Sequence, residues 1–153
     1  MPEFLQGVFG MVKAIYSPGF VEPGLKRLVG LTGSAVNGCQ YSVAHSAGAA
    51  RKFAVSNEKL NAIWDYERSD LVTDRERAPI NVARYGSQIS MSDLDYQHFE
   101  QYFDEPEQLE ILAVISLFGF LNARNGIALT DIEAPLLNLW NQLDQQKIMS
   151  FKK

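Results

Sequence analysis

The chain has 153 residues, 46% of them apolar and 21% charged, with a net charge of −4 at pH 7. That is about one domain of ordinary globular composition, long enough to bury a core without staples, and its negative charge gives no general reason to bind nucleic acid or an anionic membrane surface. A single cysteine forms no intramolecular disulfide and two histidines build no all-protein zinc site without carboxylates; no metal and no cofactor is expected, and a reducing, cytoplasmic setting is.

The helices are read in chain order. Pro2-Glu3 opens a run with Phe4, Val8, Met11, Val12 and Ile15 at helical spacing, stopped by Ser17-Pro18-Gly19. With no basic segment ahead of it, this N-terminus does not read as a signal peptide. Glu22-Pro23-Gly24 starts a second helix, with Leu25, Leu28, Val29 and Leu31 on one side, which fades at the turn dipeptide Asn37-Gly38. A third is expected from near Cys39, through Ala44, Ala47, Ala50 and Phe53, to about Val55. Ser56-Asn57 caps a short helix containing Leu60, Ile63 and Trp64.

Thr73-Asp74-Arg75-Glu76 matches a capping box, and Pro79 is expected to bend the helix that follows or displace its start. Ser92-Asp93 begins another helix, carrying Leu94, Phe99 and Phe103 to a stop at Asp104. Glu105-Pro106 starts the most apolar one; its uncharged run Ile111 to Leu121 is 11 residues long, too short to span a bilayer. Asn125-Gly126 is expected to interrupt it. Thr130-Asp131-Ile132-Glu133 reads as a second capping box before a last helix with Leu136, Leu139, Trp140 and Leu143. The tail from 145 to 153 is expected to fray, with Ile148, Met149 and Phe151 able to dock on a neighbour. No segment alternates as a strand. The expectation is one all-α domain over residues 1–153 with seven or eight helices.

The chemistry concentrates in Asn37 to Ser46, NGCQYSVAHS, which holds the lone cysteine and one of the histidines. A cysteine at a helix start meets unsatisfied backbone N–H groups and the positive end of the dipole, both of which favour the thiolate. Ser42, three residues on, is within side-chain reach of Cys39, and His45 is within reach of Ser42. Cys39 and His45 themselves lie about 240° apart around an ideal helix and about 9 Å along it. A direct pair is therefore disfavoured, and the spacing points to a relay from Cys39 through Ser42, or a water beside it, to His45. The competing reading is structural, since a free cysteine is commonly a small buried hydrophobe. Trp64, Trp140, Phe118 and Phe120 are expected in the core or a subunit interface, and His98 on the surface among carboxylates.

NGCQYSVAHS followed by AGAARKF resembles the signature of the carboxymuconolactone decarboxylase and alkylhydroperoxidase D-like family, a Cys-x-Tyr-Cys followed by a histidine on an alanine-rich helix. The segments SPGFVEPGLKRLVGLTGSAVNGC, EKLNAIWDYERSDLVTDRERAPINVAR and FDEPEQLEILAVISLFGFLNARNG extend the likeness over roughly residues 3 to 140. The resemblance implies an all-helical protein that assembles into a dimer, trimer or hexamer. In its peroxidase members the second motif cysteine attacks the peroxide and the first resolves the sulfenic acid as a disulfide. A glutamate and the motif histidine relay protons.

Carried onto this chain, the resolving cysteine is Cys39 and the attacking one is Ser42. The glutamate twelve residues before the first cysteine is Arg27, and the histidine stands at six residues after it (His45) where Ser46 occupies the seventh. A serine cannot cycle through sulfenic acid, so the two-cysteine route is closed within one chain. Arg27 instead either places a cation near Cys39 or belongs, with Lys26, to a solvated face. The expectations are a one-cysteine thiol peroxidase, an antioxidant with Cys39, Ser42 and His45 as its site and an external thiol as reductant, or a degenerate non-catalytic oligomer. The family's lactone decarboxylase chemistry ranks last.

Overall fold

The computed structural model describes residues 1–151. Nine α-helices are present among them: α1 (Pro2–Ile15), α2 (Pro23–Val36), α3 (Gln40–Arg51), α4 (Asn57–Ala62), α5 (Asp74–Gly86), α6 (Asp93–Glu100), α7 (Glu105–Ile127), α8 (Ala134–Trp140) and α9 (Gln145–Ser150). A short 3-10 turn, Ile63–Asp65, follows α4. The described residues contain no strand.

α2 is the central element, and its sequence explains why. Leu28 and Leu31 face one apolar cluster, with Val43, Leu60, Ile80 and Trp140. Leu25 and Val29 face a second, with Phe99, Ile111 and Phe118. A helix apolar on both sides must be covered on both, and α2 packs on α3, α5 and α7. Its buried cation is matched: Lys26, 3% exposed, sits 2.7 Å from Glu110 of α7 and donates to the Ile15 carbonyl. Glu110 also accepts from the Phe20 and Val21 backbone N–H groups, tying the α1–α2 loop to α7.

Four expectations change. α3 ends at Arg51, short of Val55, and Ala54 takes a positive φ of 61° in the turn that follows. Pro79 lies inside α5 without displacing its start, because the Thr73–Glu76 capping box forms and sets the first turn. α7 runs unbroken through Asn125-Gly126 to Ile127. With 23 residues it is long and apolar enough to cross a membrane by length and composition, unlike the 11-residue run alone. One face of it nevertheless packs in the core through Ile111, Val114, Leu117 and Phe118, as a core helix does.

The C-terminal end differs most. The Thr130 capping box does not form; α8 starts at Ala134 with Glu133 as N-cap and no side-chain cap. The tail does not fray over the described part. Asp144 caps α9, and Ile148 and Phe151 are buried, Phe151 against Trp64 and Tyr66 at ring distances of 5.5 and 6.3 Å. That extra helix takes the total past the expected seven or eight.

Candidate functional site

The α2–α3 corner is built by backbone chemistry. Gly38 adopts φ 68°, and its N–H bonds the Ala35 carbonyl while the Cys39 N–H bonds the Ser34 carbonyl. This is the double closure of a helix that ends in a left-handed residue, and glycine adopts it without strain. Cys39 is at once the residue that closes α2 and the N-cap of α3, its own carbonyl receiving the Val43 N–H at 3.0 Å. The sulfur does not cap the helix. The thiol donates to Ser42 Oγ at 3.2 Å, and Asn125 Nδ2 of α7 donates to the same oxygen at 3.3 Å.

Ser42 thus receives two hydrogen bonds and keeps its own O–H to give. It opens onto a cavity of about 390 Å³ between α1, α2, α3 and α7. Phe4, Leu5 and Phe9 of α1 and Leu117, Phe118 and Phe120 of α7 make its apolar walls. Arg27, Tyr41, Ser42, His45, Arg124 and Asn125 supply the polar groups. Cys39 is not among the lining residues and is 7% exposed. Ser42 therefore faces the cavity, and the thiol lies behind it.

Of the expected relay, the Cys39–Ser42 link is present. His45 turns elsewhere, its Nε2 2.8 Å from Glu133 Oε2 at the start of α8. Tyr41 donates to Glu133 Oε1 at 2.9 Å, and its ring lies 4.3 Å from the His45 ring. Glu133's own backbone N–H, then His45 and Tyr41, hold its carboxyl below the ordinary range. Burial, followed by the Glu133 contact, raises the Tyr41 phenol. Glu133 was missed in the sequence because its position in Thr130-Asp131-Ile132-Glu133 suggested a cap; no spacing signal connects it to a motif 88 residues earlier.

Arg27 lies against the Tyr16 ring, with Cζ 3.5 Å from its centroid, and lines the cavity. It is not part of a solvated face with Lys26, since Lys26 is buried. Burial pushes the Tyr16 phenol up to about 12, with the adjacent guanidinium pulling the other way. His98 is exposed and touches Tyr102, while Trp64 and Trp140 lie in the core, as expected. Among the described residues no group of three or more His, Cys, Asp or Glu could hold a metal ion.

A sequence model of the carboxymuconolactone decarboxylase family matches residues 2–84, α1 through most of α5. No curated protein matches the chain by sequence. Among solved structures, the debrominase Bmp8 is similar with a TM-score of 0.87 at 25% identity, over 92% of this chain and 77% of that one. A cysteine-to-alanine variant of that debrominase, in complex with 2,3,4-tribromopyrrole, is similar with a TM-score of 0.84 at 25% identity over 91% and 77%. An Agrobacterium tumefaciens protein of unknown function, provisionally named as the antioxidant defence protein AhpD, shares the fold with a TM-score of 0.82 at 20% identity over 88% and 93%. With its motif at the α2–α3 corner and more than half its length matched, this chain belongs to the carboxymuconolactone decarboxylase family.

Proposed function

We propose that the protein is a thiol-dependent peroxidase of antioxidant type that works with one cysteine on small apolar hydroperoxides. The observation that carries this reading is the Cys39 Sγ–Ser42 Oγ contact of 3.2 Å, with the serine oxygen at the cavity. Sulfur attacks the distal peroxide oxygen; the S–O bond forms and the O–O bond breaks. The thiol proton passes to Ser42 Oγ as the Ser42 proton passes to the leaving alkoxide, so thiol and hydroperoxide become sulfenic acid and alcohol. An external thiol then displaces water to form a mixed disulfide, and a second thiol frees Cys39. The apolar walls favour an organic hydroperoxide over hydrogen peroxide. His45, anchored by Glu133, supplies a second proton carrier at the same cavity.

The test is turnover of cumene hydroperoxide with dithiothreitol, together with mass spectrometry of Cys39 after dilute oxidant. Activity and the sulfenic acid adduct are expected in the wild type and lost in Cys39→Ala; Ser42→Ala is expected to be slower. Turnover that survives Cys39→Ala would sink the reading, and so would an unmodified Cys39.

The likeness to a debrominase supports a second reading on the same residues. There the thiolate takes bromine from an aromatic carbon, the ring carbon takes a proton from His45, and an external thiol releases bromide by forming the mixed disulfide. Bromide release from 2,3,4-tribromopyrrole, with no turnover of cumene hydroperoxide, would favour it.

A further inference from the structure

Two arginines line the cavity, Arg27 and Arg124, and among the described residues neither has an acidic partner. Several other cations of this molecule, the buried one among them, are matched. In the cleft beside the start of α5, Lys59 meets Glu76 at 2.6 Å and Arg75 bridges Glu22 and Glu107 at 3.0 and 2.6 Å. Lys26, next to Arg27 in sequence, has Glu110. Arg27 is half-buried against Tyr16, and its Nε is sealed from solvent with no hydrogen-bond partner. Arg124 makes one bond, to Asn125 Oδ1 at 3.0 Å, and the amide of that asparagine holds Ser42.

Among the described residues, no acidic side chain lines the cavity to supply the missing negative charge. Tyr16 and Tyr41 stay neutral, because burial raises both phenols. Glu133 is already engaged by His45 and Tyr41. A guanidinium drawn partly out of water without a counter-charge is unfavourable, and its planar fork matches a carboxylate.

We propose that Arg27, assisted by Arg124, is a carboxylate-binding subsite, and that the substrate is an amphiphile with one carboxylate on an apolar body. The proposal rests on the thiol reading above for the reacting group, a hydroperoxide or halogen on that body, and adds the anchor that orients it. Arg27 takes the carboxylate, the aromatic walls from α1 and α7 take the apolar body, and Ser42 meets the reacting end. The apolar walls and the planar fork argue for a fatty or aromatic acid over a phosphate ester.

Calorimetric titration of the full chain with octanoate, 1-octanol and inorganic phosphate tests this. Octanoate is expected to bind wild type and Cys39→Ala alike, and about tenfold or more weaker to Arg27→Gln. Arg27→Lys, which keeps the charge but loses the fork, should fall between. Binding of 1-octanol should be indifferent to these changes, and phosphate should bind far more weakly than octanoate. Octanoate affinity unchanged in Arg27→Gln overturns the proposal, and so does phosphate binding as tightly as octanoate. Should Arg27→Gln fail to fold, Arg124→Gln and added salt decide: octanoate affinity insensitive to both overturns it as well. Octanoate binding without thiol turnover would leave the subsite standing and remove the thiol reading. Turnover of cumene hydroperoxide without octanoate binding would do the reverse.

Discussion

By the motif resemblance Ser42 stands where the signature has its second cysteine, and its surroundings suit a small polar atom at that point: a thiol on one side, an amide on the other, the cavity in front. Ser42→Cys should therefore place two sulfurs at the helix start within bonding reach. Mild oxidation of that variant is expected to close a disulfide between Cys39 and the introduced thiol, and to lift peroxide turnover well above wild type, read by thiol counting and a coupled assay. Failure to form the disulfide would mean that the corner is not arranged as described. Glu133 makes a second prediction at this scale. Its carboxyl is held below the ordinary value of 4.5, so its stabilising contribution is in place above that pH and is lost as pH falls through the lowered folded-state value. The melting temperature of Glu133→Gln should lie slightly below wild type at neutral pH, because both partners are half exposed. The gap should close on acidification. A gap that persists at low pH would count against the His45–Tyr41–Glu133 cluster.

At the level of helices, the α2–α7 contact links packing to the cavity. A Cβ on Gly30 would come within 2.5 Å of the Phe118 ring, which is also a cavity wall. Gly30→Ala is expected to cost about 1–3 kcal/mol by overpacking and to push the ring into the cavity. Thermal melts and octanoate titration read the two effects; a wild-type result in both would show the contact to be slack. Helices with strong end signals were legible in sequence: the caps at Ser56 and Thr73 form, and helices start after Ser92 and at Glu105 as read. What misled was local punctuation overruled by tertiary partners. Asn125-Gly126 reads as a break, yet Asn125 stays helical while its side chain binds Ser42 and Arg124. The tail reads as polar and frayed with Ile148 and Phe151 able to dock; those two do dock, in a hydrophobic seat beside Trp64, and a helix forms there. Cys39 and Ser42 could be paired from spacing because they share a helix turn. Arg27 is signalled by the motif resemblance, whereas Asn125 and Glu133 come from other parts of the chain and only the fold brings them to the motif helix.

For the molecule as a whole, assembly is the remaining expectation, and we propose a homo-oligomer. α1 buries no residue and leaves Phe9 70% exposed, with Phe4 and Leu5 beside it. Leu109 and Ile127 of α7 are open as well. Apolar surface of this kind on neighbouring elements marks an association face. Sedimentation at micromolar concentration should give a species larger than the 17.2 kDa chain, and Phe9→Glu should shift it toward monomer. A wild-type monomer would rule the proposal out.

The Glu133 clamp also has a consequence for how the protein is made. His45 and Tyr41 leave the ribosome long before the glutamate that fastens them, which follows His45 by 88 residues, and Asn125 follows Ser42 by 83. At translation speeds of about 5–20 residues per second, that interval is on the order of 4–18 s. During it the motif helix is made without the partners that hold Ser42 and His45 in position.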